Sequence, residues 1–422
     1  VWKSKVPILT VEDAWKFQGN PTGFHRLPKP QHRHLIMPSQ RLIKKLFKQV
    51  HLYLSLPFGI VISLICFSGA MLAVEKDFAP SAQRHLQYVT PTQEECLPLD
   101  VLVKQVQSTL PDDVKIKGAT IFADSLRSYQ FSLSKPRKAS IYVNPYTGEV
   151  LGSPQRAPFF ATMFKLHRWL LGPARTADGG IGWGKLLVGT STLLFLLILI
   201  TGLILWWPKS TRALRASMKI PVRRGLRPFL HSLHLSGGAF AFALLLLMAA
   251  TGLTWSFKWY KDGLYALFGA APATASAHTV PSAEKGGKGS RQKTKDFAWK
   301  QGLEQVKQAT NDFQQITMKP CSASVKKDAW GNARAADQYT LDASGRITEV
   351  VPYEASPYNR KLSGWIFTLH TGSFAGAWGR WLWMFVSLIG ATLPLTGYYL
   401  WWKRLFKRPN KMLRPTRDCK IK

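Results

Sequence analysis

Acidic side chains are scarce in this chain: 23 Asp and Glu stand against 57 Lys and Arg over 422 residues. Charge of either sign is missing altogether from four stretches, between Lys48 and Glu75, Lys185 and Lys209, Arg227 and Lys258, and Arg380 and Lys403. Each gap exceeds the roughly 20 apolar residues a helix needs to cross hydrocarbon, and four such runs exclude an ordinary soluble core. Cysteine is equally sparse. Four thiols, at Cys66, Cys96, Cys321 and Cys419, exclude a disulfide framework. A bond between Cys96 and Cys321 has no local support, and two buried thiols are the alternative. Neither G-x-G-x-x-G nor a Walker sequence occurs, so no nicotinamide, flavin or ATP site of that kind is built in.

The location of the basic excess, formally +34, decides its meaning. Segments 1–50, 208–230 and 403–422 carry 10, 7 and 9 Lys/Arg against 2, 0 and 1 acids. The long segments 75–183 and 258–377 are closer to balance, with 13 and 16 bases against 10 and 10 acids. Basic short loops mark the cytoplasmic side of a membrane, so both termini are expected inside and both long segments outside. The charge then reads as topology and attraction to lipid head groups, with no nucleic-acid partner. Residues 1–45, broken by prolines at 21, 28, 30 and 38, read as a cytoplasmic tail without a cleavable signal.

The chain reads as one unit used twice. His51 precedes the glycine of Ser68-Gly69 by 18 residues, and His234 precedes that of Thr251-Gly252 by the same 18. Trp183-Gly184-Lys185 leads to Thr201-Gly202 and Trp206-Trp207; Trp378-Gly379-Arg380 leads to Thr396-Gly397 and Trp401-Trp402, again 18 from glycine to glycine. The glycines are assigned to close helix packing and the tryptophan pairs to interfacial anchoring. The expected order is a tail 1–45, a first span 46–75, an outer domain 76–165, a ligand segment and second span 166–208, and a basic loop 209–228. A third span 229–258, a second outer domain 259–368 with a linker 269–295, a ligand segment and fourth span 369–403 and a tail 404–422 follow. Each outer segment has one helical run, Leu99–Leu110 and Phe297–Ala309. Strand-like runs follow at Val114–Ala123, Ser128–Ser134, Ala139–Val143 and Glu149–Leu151, then at Phe313–Met318, Gln338–Leu341 and Ile347–Val351. The fold class is therefore an α-helical membrane protein of four transmembrane helices from a duplicated unit, with two α+β outer domains.

Four histidines stand at the boundaries of the spans. His51 and His234 open the first and third; His167 and His370 shortly precede the second and fourth. An ionisable ring at a lipid boundary is costly unless held, and two pairs at two depths suggest axial ligands of two haems. His231, three residues before His234 on one helical face, is the rival at that site, either replacing His234 or hydrogen-bonding a haem propionate. No C-x-x-C-H occurs, so covalent c-type attachment is excluded. Arg168, Lys185 and Arg380 are candidates to neutralise haem propionates, with snorkelling towards head groups the alternative. Aromatics of the outer segments, Tyr142, Tyr146, Phe159, Phe160, Tyr353 and Tyr358, are candidates to line a docking surface.

The stretches His167-Arg-Trp-Leu-Leu-Gly, Trp183-Gly-Lys-Leu-Leu-Val-Gly and Thr201-Gly-Leu-Ile-Leu-Trp-Trp-Pro resemble the PepSY-associated transmembrane family of iron-regulated bacterial inner-membrane proteins. Ile141-Tyr-Val-Asn-Pro-Tyr-Thr-Gly-Glu-Val-Leu-Gly resembles a PepSY strand-turn-strand, and Tyr339-Thr-Leu-Asp-Ala-Ser-Gly-Arg-Ile a more distant one. The resemblance implies two PepSY-like periplasmic domains and, by likeness to ferrioxamine-type reductases, two haem b groups that pass electrons to a ferric siderophore. A cytoplasmic reductase or membrane quinol would supply them. A membrane regulator acting through its PepSY domains and a siderophore permease are the competing expectations.

Overall fold

The charge-free stretches fold as four helices long and apolar enough to cross a membrane: Leu42–Phe78, Trp183–Trp206, Leu226–Trp255 and Ser373–Leu405. The computed structural model describes residues 38–91, 95–136, 139–219, 225–270, 297–310, 312–327 and 331–406, without the side chains of 38–41 and 79–82. Most of the expected N-terminal tail, linker 269–295 from residue 271, part of the basic loop and the C-terminal tail from residue 407, with Cys419, lie outside the described residues.

Side chains from all four spans meet in an apolar core of Ile62, Phe195, Ile198, Leu199, Ala241, Leu245, Val386 and Leu393. Water offers no competing partner at such depth, so polar groups between helices bond to backbone. Ser63 Oγ donates to the Ala391 carbonyl at 2.8 Å, and Tyr398 Oη donates to the Leu56 carbonyl at 2.6 Å. Both bonds tie the first span to the fourth.

The segments between spans form a sheet. Its strands are β1 (Ile116–Phe122), β2 (Tyr129–Leu133), β3 (Ser140–Val143), β4 (Val150–Gly152), β5 (Gln315–Lys319), β6 (Ser322–Lys326), β7 (Asp337–Leu341) and β8 (Ile347–Val351). The order is β4-β3-β2-β1-β5-β6-β7-β8, antiparallel throughout. Two meanders thus join through β1 and β5, where Ala119 faces Met318 and Ile121 faces Ile316. This is one continuous eight-stranded layer where two separate domains were expected. The physical reason is edge strands: β1 and β5 would each expose unpaired backbone, and pairing them removes both edges.

One face of the sheet is apolar and carries the helices Leu99–Thr109 and Trp299–Ala309. Leu102, Val106, Phe131, Val143, Val306, Ile316, Met318 and Val325 are fully buried there. The two helices are also joined end to side: Asp100 accepts from the Trp299 and Lys300 amides at 2.9 and 2.8 Å, capping the second helix from the first. Tyr142 and Tyr146, expected among docking aromatics, are buried. Cys96, expected to be buried unless bonded, is an exposed free thiol.

Candidate functional site

His51 lies on the first span and His234 on the third. Their ring centres are 6.4 Å apart, with planes at 89°. His167 and His370 lie in the last turns of the short helices Pro158–Trp169 and Tyr358–Thr371, with ring centres 6.2 Å apart. The two pairs sit towards opposite ends of the bundle. On the first span alone, His51 and Gly69, the residue beneath His167, are separated by 18 residues, or roughly 27 Å of helix.

Each imidazole is held in the same way. His51 Nδ1 lies 3.1 Å from the Ile198 carbonyl and 3.1 Å from Thr201 Oγ1. His234 Nδ1 lies 3.0 Å from the Leu393 carbonyl and 3.0 Å from Thr396 Oγ1. For His167 the partners are Ile65 at 2.9 Å and Ser68 at 3.4 Å; for His370 they are Met248 at 3.0 Å and Thr251 at 3.2 Å. In every case the carbonyl belongs to the residue three before a Ser or Thr, and a glycine follows that hydroxyl. A Cβ on Gly202, Gly69 or Gly252 would stand 3.1, 3.0 or 3.0 Å from the ring Cε1 of His51, His167 or His370, and on Gly397 3.5 Å from that of His234. The glycines assigned to helix packing are therefore seats for the imidazoles.

A carbonyl can only accept, so it fixes the tautomer with hydrogen on Nδ1 and a lone pair on Nε2. None of the four Nε2 atoms has a protein hydrogen bond among the described residues. Burial, then the neighbouring His167, pushes the His370 pKa down to about 4, and burial lowers that of His167. Both rings are neutral at physiological pH, the form that ligates metal.

Geometry narrows what fits between them. Two collinear bonds of about 2.0–2.1 Å, plus ~1.1 Å from each nitrogen to its ring centre, place axial imidazole centres ~6.3 Å apart, whereas a tetrahedral pair would bring them to ~5 Å. The observed 6.4 and 6.2 Å match the first arrangement. No group of three or more His, Cys, Asp or Glu gathers among the described residues. A bare ion would lack its remaining ligands, whereas a porphyrin brings four nitrogens of its own.

A cavity opens around each pair. About 1180 Å³ opens around His51 and His234, and about 430 Å³ around His167 and His370. Ile62 and Phe195 line both, so one apolar layer divides them. Trp206 and Trp401, read as anchors, line the larger cavity, while their neighbours Trp207 and Trp402 are exposed. His231 is exposed at the rim of that cavity; His234 is the one that faces His51. His234 also sits in a π-helical turn, Leu233–Gly237, a local widening common at functional sites that hydrophobic periodicity does not register.

Arg168, Lys185 and Arg380 all line the smaller cavity, joined by Lys76, Arg156 and Arg334. Arg380 is already bonded to Asp77 and Arg156 to Glu75. Phe159, Phe160, Tyr353 and Tyr358 do not line this cavity. The Trp-Gly-basic motif also gains a role: a Cβ on Gly184 or Gly379 would collide with the carbonyl of Trp169 or Gly372. Those glycines let each even span begin against the end of the helix that presents His167 or His370.

The family described as the PepSY-associated TM region matches residues 48–404. The chain belongs to this family. No curated protein matches it. The match includes all four seated histidines and reaches into all four spans, so the two imidazole pairs of this PepSY-associated protein lie within the family region.

Proposed function

We propose that this protein is a bacterial inner-membrane haem b reductase, with both termini cytoplasmic and the sheet periplasmic. It would accept electrons from a cytoplasmic reductase or from quinol and deliver them to a ferric siderophore, releasing iron as Fe(II). The observation that carries this reading is the fourfold seat: four imidazoles held through Nδ1, two by two, with no hydrogen bond to Nε2 among the described residues and ring centres 6.2 and 6.4 Å apart. A duplicated ancestral unit accounts for that repetition, since two odd and two even spans supply equivalent glycines, hydroxyls and carbonyls.

His51 with His234 and His167 with His370 would hold one haem each. When bound, each haem supplies a one-electron centre whose potential follows its ligands and surroundings. The protein does the rest. The backbone carbonyls keep Nε2 basic and the rings oriented. Ile62 and Phe195 keep the layer between the sites dry. Arg168 and Lys185 offer charge to propionates on one side, and Lys48, Lys219, Arg227 and Arg404 on the other.

Ferric iron is bound by hard oxygen donors far more tightly than ferrous iron, so adding one electron loosens the chelate. The protein need not touch iron directly; it must present the chelate near the His167–His370 site. The test is anaerobic. Purified protein is reduced with dithionite, freed of excess reductant and mixed with a ferric trihydroxamate while visible absorption and an Fe(II)-specific chelator are followed. Reoxidation with stoichiometric Fe(II) is expected. A colourless preparation, or a reduced band that persists in the presence of every ferric chelate, would refute the proposal and favour a regulator or permease.

A further inference from the structure

The smaller cavity is lined by six basic side chains, Lys76, Arg156, Arg168, Lys185, Arg334 and Arg380. Glu75 pairs with Arg156, and Asp77 with Arg380. Lys76, Arg168, Lys185 and Arg334 have no carboxylate partner among the described residues. Arg168 leans on the rings of Phe164 and Trp169, and Arg334 lies 3.7 Å over the ring of Phe367. Aromatic faces hold these guanidinium groups in place without neutralising them. Lys326, at the end of β6, adds positive charge to the field felt by Lys76.

Topology does not explain this charge. Basic residues collect on the cytoplasmic side of a membrane, and this cluster lies at the opposite end, beside the sheet. Haem propionates explain half of it: two carboxylates would offset two of the four unpaired cations. Two remain at the cavity, with Lys326 beyond them.

Resting on the reductase reading, we propose that the substrate is an anionic ferric chelate, of the carboxylate or catecholate class, drawn to the His167–His370 end by Lys76, Arg334 and their neighbours. A neutral or cationic trihydroxamate would gain nothing from this field. Clefts lined by one sign of charge raise association rates for the opposite sign by about 10–10³-fold, and the gain falls with ionic strength.

The test uses dithionite-reduced, haem-loaded full chain in detergent, mixed by stopped flow with ferric citrate or with a neutral ferric trihydroxamate. The second-order rate of reoxidation by ferric citrate should fall on the order of tenfold as salt rises from low to physiological strength, and the trihydroxamate rate should stay flat. Arg334→Gln and Lys76→Gln should each slow ferric citrate severalfold without changing haem absorption, and leave the trihydroxamate rate as it was. Equal salt dependence for both chelates, or variants that slow both alike, would overturn the charge proposal and leave the reductase reading intact. Failure of every chelate to reoxidise the protein would instead remove the reading on which it rests.

Discussion

Replacing Gly69 by alanine puts a methyl carbon 3.0 Å from Cε1 and 3.3 Å from Nδ1 of His167. Carbon atoms prefer about 3.5–4.0 Å, so the ring must retreat by roughly 0.5 Å. The retreat is opposed by the 2.9 Å bond from Nδ1 to the Ile65 carbonyl, which leaves the normal range beyond about 3.2 Å. Overpacking of this kind costs about 1–3 kcal/mol, and loss of a bond that orients a ligand typically costs 10–100-fold in metal affinity. Gly252→Ala faces His370 with the same 3.0 Å, and Gly202→Ala faces His51 at 3.1 Å. Gly397→Ala stands 3.5 Å from His234, an ordinary contact, and gains helix propensity of about 1 kcal/mol. Haem-to-protein ratio by pyridine haemochrome and a redox titration decide the matter. Gly69→Ala, Gly252→Ala and Gly202→Ala should each lose or shift one of two haems, and Gly397→Ala should keep both. If Gly397→Ala matches Gly252→Ala, or if all four variants retain two unshifted haems, the seat is not what holds these rings.

Further variants test separate parts of the molecule. His51→Ala and His167→Ala should each halve the haem content by absorption, and the double variant should abolish it, whereas His231→Ala should leave both haems bound. Thr396→Val removes a hydroxyl 3.0 Å from His234 Nδ1 but keeps the carbonyl; the loss of about 1 kcal/mol corresponds to a shift of roughly 40 mV or less in one midpoint potential. Asp100→Ala uncaps the helix Trp299–Ala309 and should lower stability by about 1–2 kcal/mol, read as an earlier thermal transition of the sheet with haem absorption unchanged. Phe131→Ala empties a fully buried ring from the sheet core and should cost about 3–5 kcal/mol in the same assay.

The spans were legible because charge exclusion is a one-dimensional signal: Lys48 to Glu75 announces a helix in lipid without any knowledge of its neighbours. The pairing of His51 with His234 was also within reach, since equal 18-residue spacings put both at one depth. What sequence spacing could not show is the partner across the helix interface. Thr201-Gly202 lies 150 residues from His51, and small residues read equally well as packing motifs. β6 escaped because Ser322-Ala-Ser-Val-Lys326 contains a single strong strand former; its place is set by β5 and β7 on either side. The union of β1 with β5 was likewise hidden, because strand edges have no local signature and are resolved only in the tertiary fold. Arg156 and Arg334 stand outside any periodic pattern, and only the fold brings them to the cavity near His167 and His370.

Low-temperature electron paramagnetic resonance, with haem and protein quantified on the same purified sample from haem-replete cells, tests the central claim most directly. Two low-spin ferric haems per chain, both with bis-imidazole signals, are the result these paired and seated rings predict. A sample with no haem, or with high-spin signals that persist when His51 and His370 are each replaced by alanine, would contradict it.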